Sequence, residues 1–224
     1  MSSDSTMTPT TRTLTVIGVD VGVKQLLAAA PVTADPDVAK ALVVDGGVAR
    51  ALFDGLGDTL ARLDELGVDS TAVTSEALAN YRQLIYQRFG LATAALQEHL
   101  EHHDADAVAL EDLEQEDRTL EECARGETKA GGWLLPAFLD RLEDALTSAG
   151  YRVERVDPKY TTQECHVCGE LAEVSDATIA CETPDCPVDV VCRDRSAAVS
   201  IAKRWDPRPD GRPRSAELDV QPTD

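Results

Sequence analysis

The sequence predicts an α/β protein in which a mixed sheet is flanked by helices and interrupted by a small cysteine-bearing insert. Three observations point that way. Short β-rich apolar runs alternate with longer stripes of leucine at helical spacing. One run, Ala107 to Leu110, is apolar at every position and sits between two such stripes, as a strand covered on both faces would. Five cysteines crowd into residues 165–192 among short turns. With 224 residues and 43% hydrophobic content, the chain is long enough for one or two domains and can bury a core. Only 4% is aromatic, so that core must be built mainly from Ala, Val and Leu.

Residues 1–12 are polar and Thr/Ser-rich and read as a disordered leader. Leu14 to Val19, Leu26 to Ala30 and Ala41 to Val44 are three short apolar runs. They are separated by Asp20–Gly22 and by a turn with two prolines, and closed by Asp45-Gly46-Gly47, so they predict an antiparallel meander. Leu52, Leu56, Leu60 and Leu63 recur at spacings of three and four, a helix. Asp69-Ser70-Thr71 can start another, carried by Leu78, Leu84, Ile85, Leu96 and Leu100 and broken near Gly90. Ala107 to Leu110 is the next strand and ends at Glu111. Residues 112–131, charged and Gly-bearing, predict a loop. Trp133 to Ala149 is a helix stopped by Gly150, with Trp133 a core anchor. Tyr151 to Val156 is a strand that stops at Asp157-Pro158. Arg193 to Arg204 predicts a helix with Ala197, Ala198, Ile201 and Ala202 near one face. The tail 205–224 carries prolines among charges and predicts disorder. The order is three strands, helices, strand, helix, strand, insert, helix, which matches the ribonuclease H-like plan.

The net charge is −20. That excludes a protein that holds nucleic acid through bulk positive charge, while leaving room for local contacts. The acids are spread along the chain, and Arg greatly outnumbers Lys. Such a surface suits a cytosol of very high salt, where repulsion is screened, so the sequence reads as that of a halophile. No apolar run of about 18 residues is present to cross a membrane, and no apolar signal region opens the chain. The expected compartment is the cytoplasm.

Cys165-His166-Val167-Cys168-Gly169 is a C-x2-C knuckle, and Cys181 and Cys186 form a second, looser pair twelve residues on. Two thiolate pairs on facing hairpins make the tetrahedral S4 site that structural Zn²⁺ prefers. In a cytosolic chain disulfides are not expected. Because four residues separate the second pair, Cys192 is a spare candidate ligand and His166 a remote one. Cys123 stands alone.

Asp20 follows Val16-Ile17-Gly18-Val19, Glu111 follows Val108-Ala109-Leu110, and Asp194 opens the last helix. In a ribonuclease H-like sheet the first and fourth strands are neighbours, which would gather these acids. Crowded carboxylates need cations, and hard Mg²⁺ or Mn²⁺ fits oxygen ligands and supports phosphodiester hydrolysis. With 41 acids in the chain, however, a strand-end acid also arises by chance, and Asp112 adjoins Glu111.

At these residues the chain resembles the TnpB-type proteins, insertion-sequence relatives of the type V CRISPR nucleases. Gly18-Val19-Asp20-Val21-Gly22-Val23-Lys24 resembles their first RuvC motif, and Ala109-Leu110-Glu111-Asp112-Leu113 the second. The run from Val156 through Lys159-Tyr160-Thr161 to Cys168-Gly169 resembles the lead into their zinc ribbon. Asp194-Arg195-Ser196-Ala197-Ala198 resembles the third motif, although Ser196 and Ser200 stand where asparagines are usual. The resemblance spans roughly residues 13–204. It implies a RuvC-like domain over 13–160, a zinc ribbon over 161–192 and a final RuvC-like helix over 193–204.

The resemblance implies an RNA-guided, metal-dependent DNA endonuclease. Asp20, Glu111 and Asp194 would bind catalytic Mg²⁺ or Mn²⁺, and Cys165, Cys168, Cys181 and Cys186 a structural Zn²⁺. Lys24, Arg193 and Arg195 are the basic groups nearest the expected site and Lys159 lies beside the ribbon; each fits a phosphate contact or an ordinary surface charge. Asp20 comes so early that the family's N-terminal recognition region is expected to be missing. DNA, a guide RNA and a protein supplying that region are therefore the candidate partners. The competing expectation is a non-catalytic, truncated or domesticated zinc-ribbon module that binds nucleic acid or protein.

Overall fold

A computed structural model describes residues 14–68, 70–113, 118–127 and 130–205. The expected leader and nearly all of the expected tail lie outside these residues.

The meander forms as expected: β1 (Val16–Val21), β2 (Gln25–Pro31) and β3 (Leu42–Asp45) pair antiparallel. β4 (Ala107–Glu111) then lies parallel to β1, and β5 (Arg152–Val156) parallel to β4. The strand order is β3-β2-β1-β4-β5, a mixed five-stranded sheet. The two parallel steps need long crossovers, which the helices supply.

Alternation along the strands sorts side chains onto two faces. Ile17, Val19, Val21, Val108 and Leu110 join one core with α1 (Gly47–Glu65), α2 (Thr71–His102) and α4 (Gly131–Ser148). Its helical side includes Leu56, Leu60, Phe89, Leu96, Phe138 and Leu142, all fully buried. Trp133 belongs to this core, its ring stacked on Tyr86 with centroids 6.1 Å apart. Gly150 stops α4 with φ +91°, and the Tyr151 amide closes the turn on the Leu146 carbonyl at 3.1 Å.

Two expectations on this face need correction. α2 runs unbroken through Gly90. Ile85, Phe89, Ala92, Leu96 and Leu100 form a continuous buried stripe, and its burial outweighs the roughly 1 kcal/mol that a helical glycine costs. The region 112–131 is not all loop. Leu120–Glu122 (α3) opens with a capping box between Thr119 and Glu122, and Cys123–Glu127 continues as a wider π-type turn. Leu120 and Cys123, three apart, drop into the core and fold this stretch.

The opposite face carries α5 (Arg193–Lys203) and a small lobe with the strands β6 (Glu173–Val174), β7 (Thr178–Ala180) and β8 (Val190–Cys192) in one antiparallel sheet. Instead of presenting one apolar face, α5 is buried at every position from Ser196 to Ala202. The large sheet covers it on one side. On the other, Ala198 and Val199 pack with Cys165, Ile179, Val188 and Val191 of the small lobe. Among the described residues no helix is long and apolar enough to cross a membrane.

Candidate functional site

β1 and β4 run parallel with Gly18 beside Ala109 and Val19 beside Leu110, so the next step brings Asp20 beside Glu111. Period-two alternation turns both away from the large core and toward α5, with Gly18 and Ala109. Gly18 decides how near α5 can come. A Cβ there would lie 2.0 Å from the Ala198 carbonyl oxygen and 2.3 Å from the Ala202 amide nitrogen. The helix therefore rests directly on the β1 backbone, and its first turn carries Asp194 to the strand ends.

Asp20 is 6% and Glu111 4% exposed. Burial, followed by the charges of Glu111 and Asp194, raises the Asp20 carboxyl well above its ordinary value. Burial also pushes Glu111 up to about 7, against the hydrogen bond from Thr161 and the charge of Arg204. Asp194 is held by Arg193, whose Nε donates to Oδ1 at 2.9 Å.

The Thr161 hydroxyl, 1% exposed, donates to Glu111 Oε1 at 2.8 Å. The Arg204 guanidinium staples the segment bearing Thr161 to the end of α5. Its Nη1 donates to the Asp157 carbonyl at 2.6 Å and its Nη2 reaches both Glu164 carboxylate oxygens at 2.8 Å. Sequence reasoning missed both residues as parts of the site. Thr161 lay inside a quoted motif, but nothing local marks a threonine as the partner of a glutamate fifty positions away.

The four cysteines come together. One sulfur each from Cys165, Cys168, Cys181 and Cys186 all lie within 4.8 Å of one another, with 3.8 Å between Cys165 and Cys186 and 3.6 Å between Cys168 and Cys181. Four thiolates ~2.3 Å from a tetrahedral metal stand about 3.8 Å apart, so the cluster fits a metal such as zinc. Gly169, with φ +80°, closes the knuckle as its amide donates to the Cys165 carbonyl at 2.8 Å. Burial holds the Cys165 thiol up at about 12. At Cys168 burial acts upward too, but hydrogen bonds involving Thr183 and the Glu170 backbone bring the thiol down to about 7. Among the described residues no other group of three or more His, Cys, Asp or Glu gathers to this spacing, and the carboxylate trio is more open.

Neither reserve ligand joins the four-sulfur cluster. Cys192 ends β8 outside it, directly before the first turn of α5. His166 is a buried structural residue: its Nδ1 lies 3.1 Å from the Ser196 hydroxyl and its Nε2 2.9 Å from the Asp35 carbonyl. It ties the knuckle to α5 and to the β2–β3 connection.

The basic candidates are mostly engaged within the chain. Lys24 Nζ pairs with Asp176 of the small lobe at 2.5 Å, on the surface. Arg193 engages Asp194, and Arg195 is half-buried on α5. Lys159 is exposed, with its ammonium 5.3 Å from the Tyr160 ring centroid.

The sheet order and the helix across β1 define an α/β fold of the ribonuclease H-like, RuvC-type plan, with the cysteine lobe packed on its last helix. Residues 137–201 match the family model described as "Cas12f1-like, TNB domain". A solved Cas12f1–sgRNA–target DNA complex aligns with TM-score 0.58 and 19% identity over 84% of this chain and 49% of that one. A CRISPR–Cas12f ternary complex aligns with TM-score 0.62 and 16% identity, over 90% and 41%. The chain thus spans half or less of the length of those proteins. The curated proteins contain no significant match.

Proposed function

We propose that this chain carries the RuvC-like nuclease unit of a TnpB- or Cas12f-type protein, with residues 13–160 and 193–204 forming that unit and 161–192 a zinc ribbon. Its activity is divalent-metal-dependent hydrolysis of DNA phosphodiesters. The observation that carries this reading is the convergence of Asp20, Glu111 and Asp194 from β1, β4 and α5 on one sheet face. The match of residues 137–201 to the Cas12f1-like TNB domain and the fold shared with guide-RNA and target-DNA complexes support it. Guide RNA and DNA are the proposed ligands, with recognition by surfaces beyond the described residues or by a partner protein.

Two acids buried side by side are unfavourable as bare anions, and their raised protonation is the sign of a site that wants cationic charge. Mg²⁺ or Mn²⁺ held by Asp20, Glu111 and Asp194 would supply Lewis-acid activation of water and stabilisation of the leaving oxygen. The chain's own residues set the stage. Thr161 fixes the Glu111 oxygen, Gly18 sets the depth of α5, and Arg193 steadies Asp194 until a cation competes for it.

Zinc is the proposed occupant of the cysteine cluster. Its part is to brace the lobe that covers Ala198 and Val199, and so to hold Asp194 in place. Elemental analysis should find one zinc per chain, falling toward zero in Cys168→Ser. Full retention of zinc in that variant would reject the assignment.

The deciding experiment is cleavage of labelled single- and double-stranded DNA in high KCl with Mn²⁺ or Mg²⁺, with co-purified RNA retained. Glu111→Ala should lose the metal-dependent activity. Equal background in both proteins, each folded and zinc-loaded, would favour the non-catalytic zinc-ribbon module instead.

A further inference from the structure

Beside the carboxylates the chain makes a turn that its own packing does not explain. Tyr160 adopts φ +66°, a conformation uncommon for an aromatic residue and easy only for glycine. The turn is closed by several hydrogen bonds. The Lys159 amide donates to Asp157 Oδ1 at 2.9 Å, the Thr161 amide to the Pro158 carbonyl at 3.2 Å, and the Gln163 and Glu164 amides to the Tyr160 carbonyl at 2.9 Å. None of these bonds uses the Tyr160 side chain. The side chain does not serve the core either: Tyr160 is 45% exposed, the one exposed Phe, Tyr or Trp among the described residues. An aromatic residue on an unusual backbone, exposed next to a residue that holds a candidate site, is a pointer to function.

Its position says which function. The next residue is Thr161, anchored on Glu111, so the Tyr160 backbone is tied one residue from the Glu111 contact. The Lys159 ammonium stands over one face of the ring, 5.3 Å from its centroid. A flat ring next to a cation is the pairing that single-stranded nucleic acid uses, base on ring and phosphate on ammonium. Charge makes the ring matter more here. A chain of net charge −20 repels phosphate and offers few cations, whereas stacking depends little on charge.

We propose that Tyr160 is a positioning residue that stacks a nucleobase of a single DNA strand entering the carboxylate site, with Lys159 on the adjoining phosphate. The proposal rests on the nuclease reading for its choice of strand, but its test reads binding rather than cutting.

Zinc-loaded full chain would be titrated with a short oligothymidylate in Ca²⁺, with oligouridylate in parallel. Tyr160→Trp should show tryptophan quenching on adding oligothymidylate, beyond any change of Trp133 and Trp205 in the unsubstituted protein. Tyr160→Gly should melt no lower than wild type, because glycine relieves the backbone, yet bind about 10-fold more weakly. Tyr160→Phe should bind as wild type. Absence of quenching, or undiminished affinity in Tyr160→Gly, overturns the proposal. So does a fall in melting temperature of Tyr160→Gly that accounts for its weaker binding, or quenching by oligouridylate alone. Quenching and weakened binding without any cleavage by wild type would sustain this proposal and sink the nuclease reading. Cleavage by wild type with unchanged binding by Tyr160→Gly would do the reverse.

Discussion

Gly18→Ala is expected to lower the melting temperature of the zinc-loaded protein by roughly 10 °C and to abolish any metal-dependent cutting. The added methyl would lie 2.0 Å from the Ala198 carbonyl oxygen and 2.3 Å from the Ala202 amide nitrogen. Both are backbone atoms of a helix, so no side-chain rotation relieves the overlap. Either α5 lifts by more than an ångström or β1 bows away from it. Lifting α5 exposes Ala198, Val199 and Ile201, which are fully buried, and shifts Asp194 away from Asp20. Overpacking of this kind costs about 3 kcal/mol, and a domain of this size loses roughly 2–4 °C for each. Gly90→Ala is the contrast. Nothing lies within 4 Å of a Cβ there, and the residue is inside α2, so that variant should gain up to about 1 kcal/mol. Thermal melts of the two side by side separate contact from propensity. A Gly18→Ala protein that melts with wild type would refute the direct seating of α5 on β1.

Glu111→Gln is expected to stabilise the protein without divalent ions while removing its response to them. The ordinary glutamate value is 4.5, and burial holds Glu111 at about 7. Below pH 4.5 the carboxyl is protonated both folded and unfolded and sets no pH dependence. As pH rises from 4.5 to 7 the unfolded chain ionises first, so the fold loses stability, and above pH 7 the loss is complete. It amounts to about 3 kcal/mol, and Asp20, raised by the same burial, acts in the same direction. Wild type in high KCl should therefore melt lower at pH 7.5 than at pH 5. Glu111→Gln should recover roughly 5–10 °C of that difference. Mn²⁺ or Mg²⁺ favours the ionised form, so it should raise the wild-type melting temperature at pH 7.5, much less at pH 5, and not at all in the variant. The other acids also repel more as pH rises, so the difference between the two proteins isolates the site. Parallel pH profiles for both, with equal metal response, would remove Glu111 from any cation site.

The readable part of this molecule was what local chemistry encodes. Alternating β-rich runs near Val16, Leu27 and Val43 became the meander, and the Gly150 stop appeared where the glycine stands. The C-x2-C knuckle announced a thiolate cluster because two cysteines with a following glycine make a turn that few other needs explain. What escaped was set by distant partners. α2 continues through Gly90 because a stripe on α2's other side is buried by α1, α4 and the sheet. The stretch from Leu120 to Glu127 folds because a core already exists for Leu120 and Cys123 to enter. His166, a remote ligand candidate by sequence, is a buried link, since its ring nitrogens meet Ser196 and Asp35.

The sequence by itself determined most of the elements, the apolar strand ends that carry Asp20 and Glu111, and the C-x2-C knuckle. It did so because period-two alternation and turn chemistry act within a few residues. The tertiary structure alone decided that β1 and β4 lie side by side in the register that abuts the two acids. It alone decided that α5 is buried on both sides, and that Thr161 and Arg204 hold the second acid's surroundings. These depend on backbone approach and on burial that raises carboxylate protonation, quantities that exist only once chain segments a hundred residues apart have met.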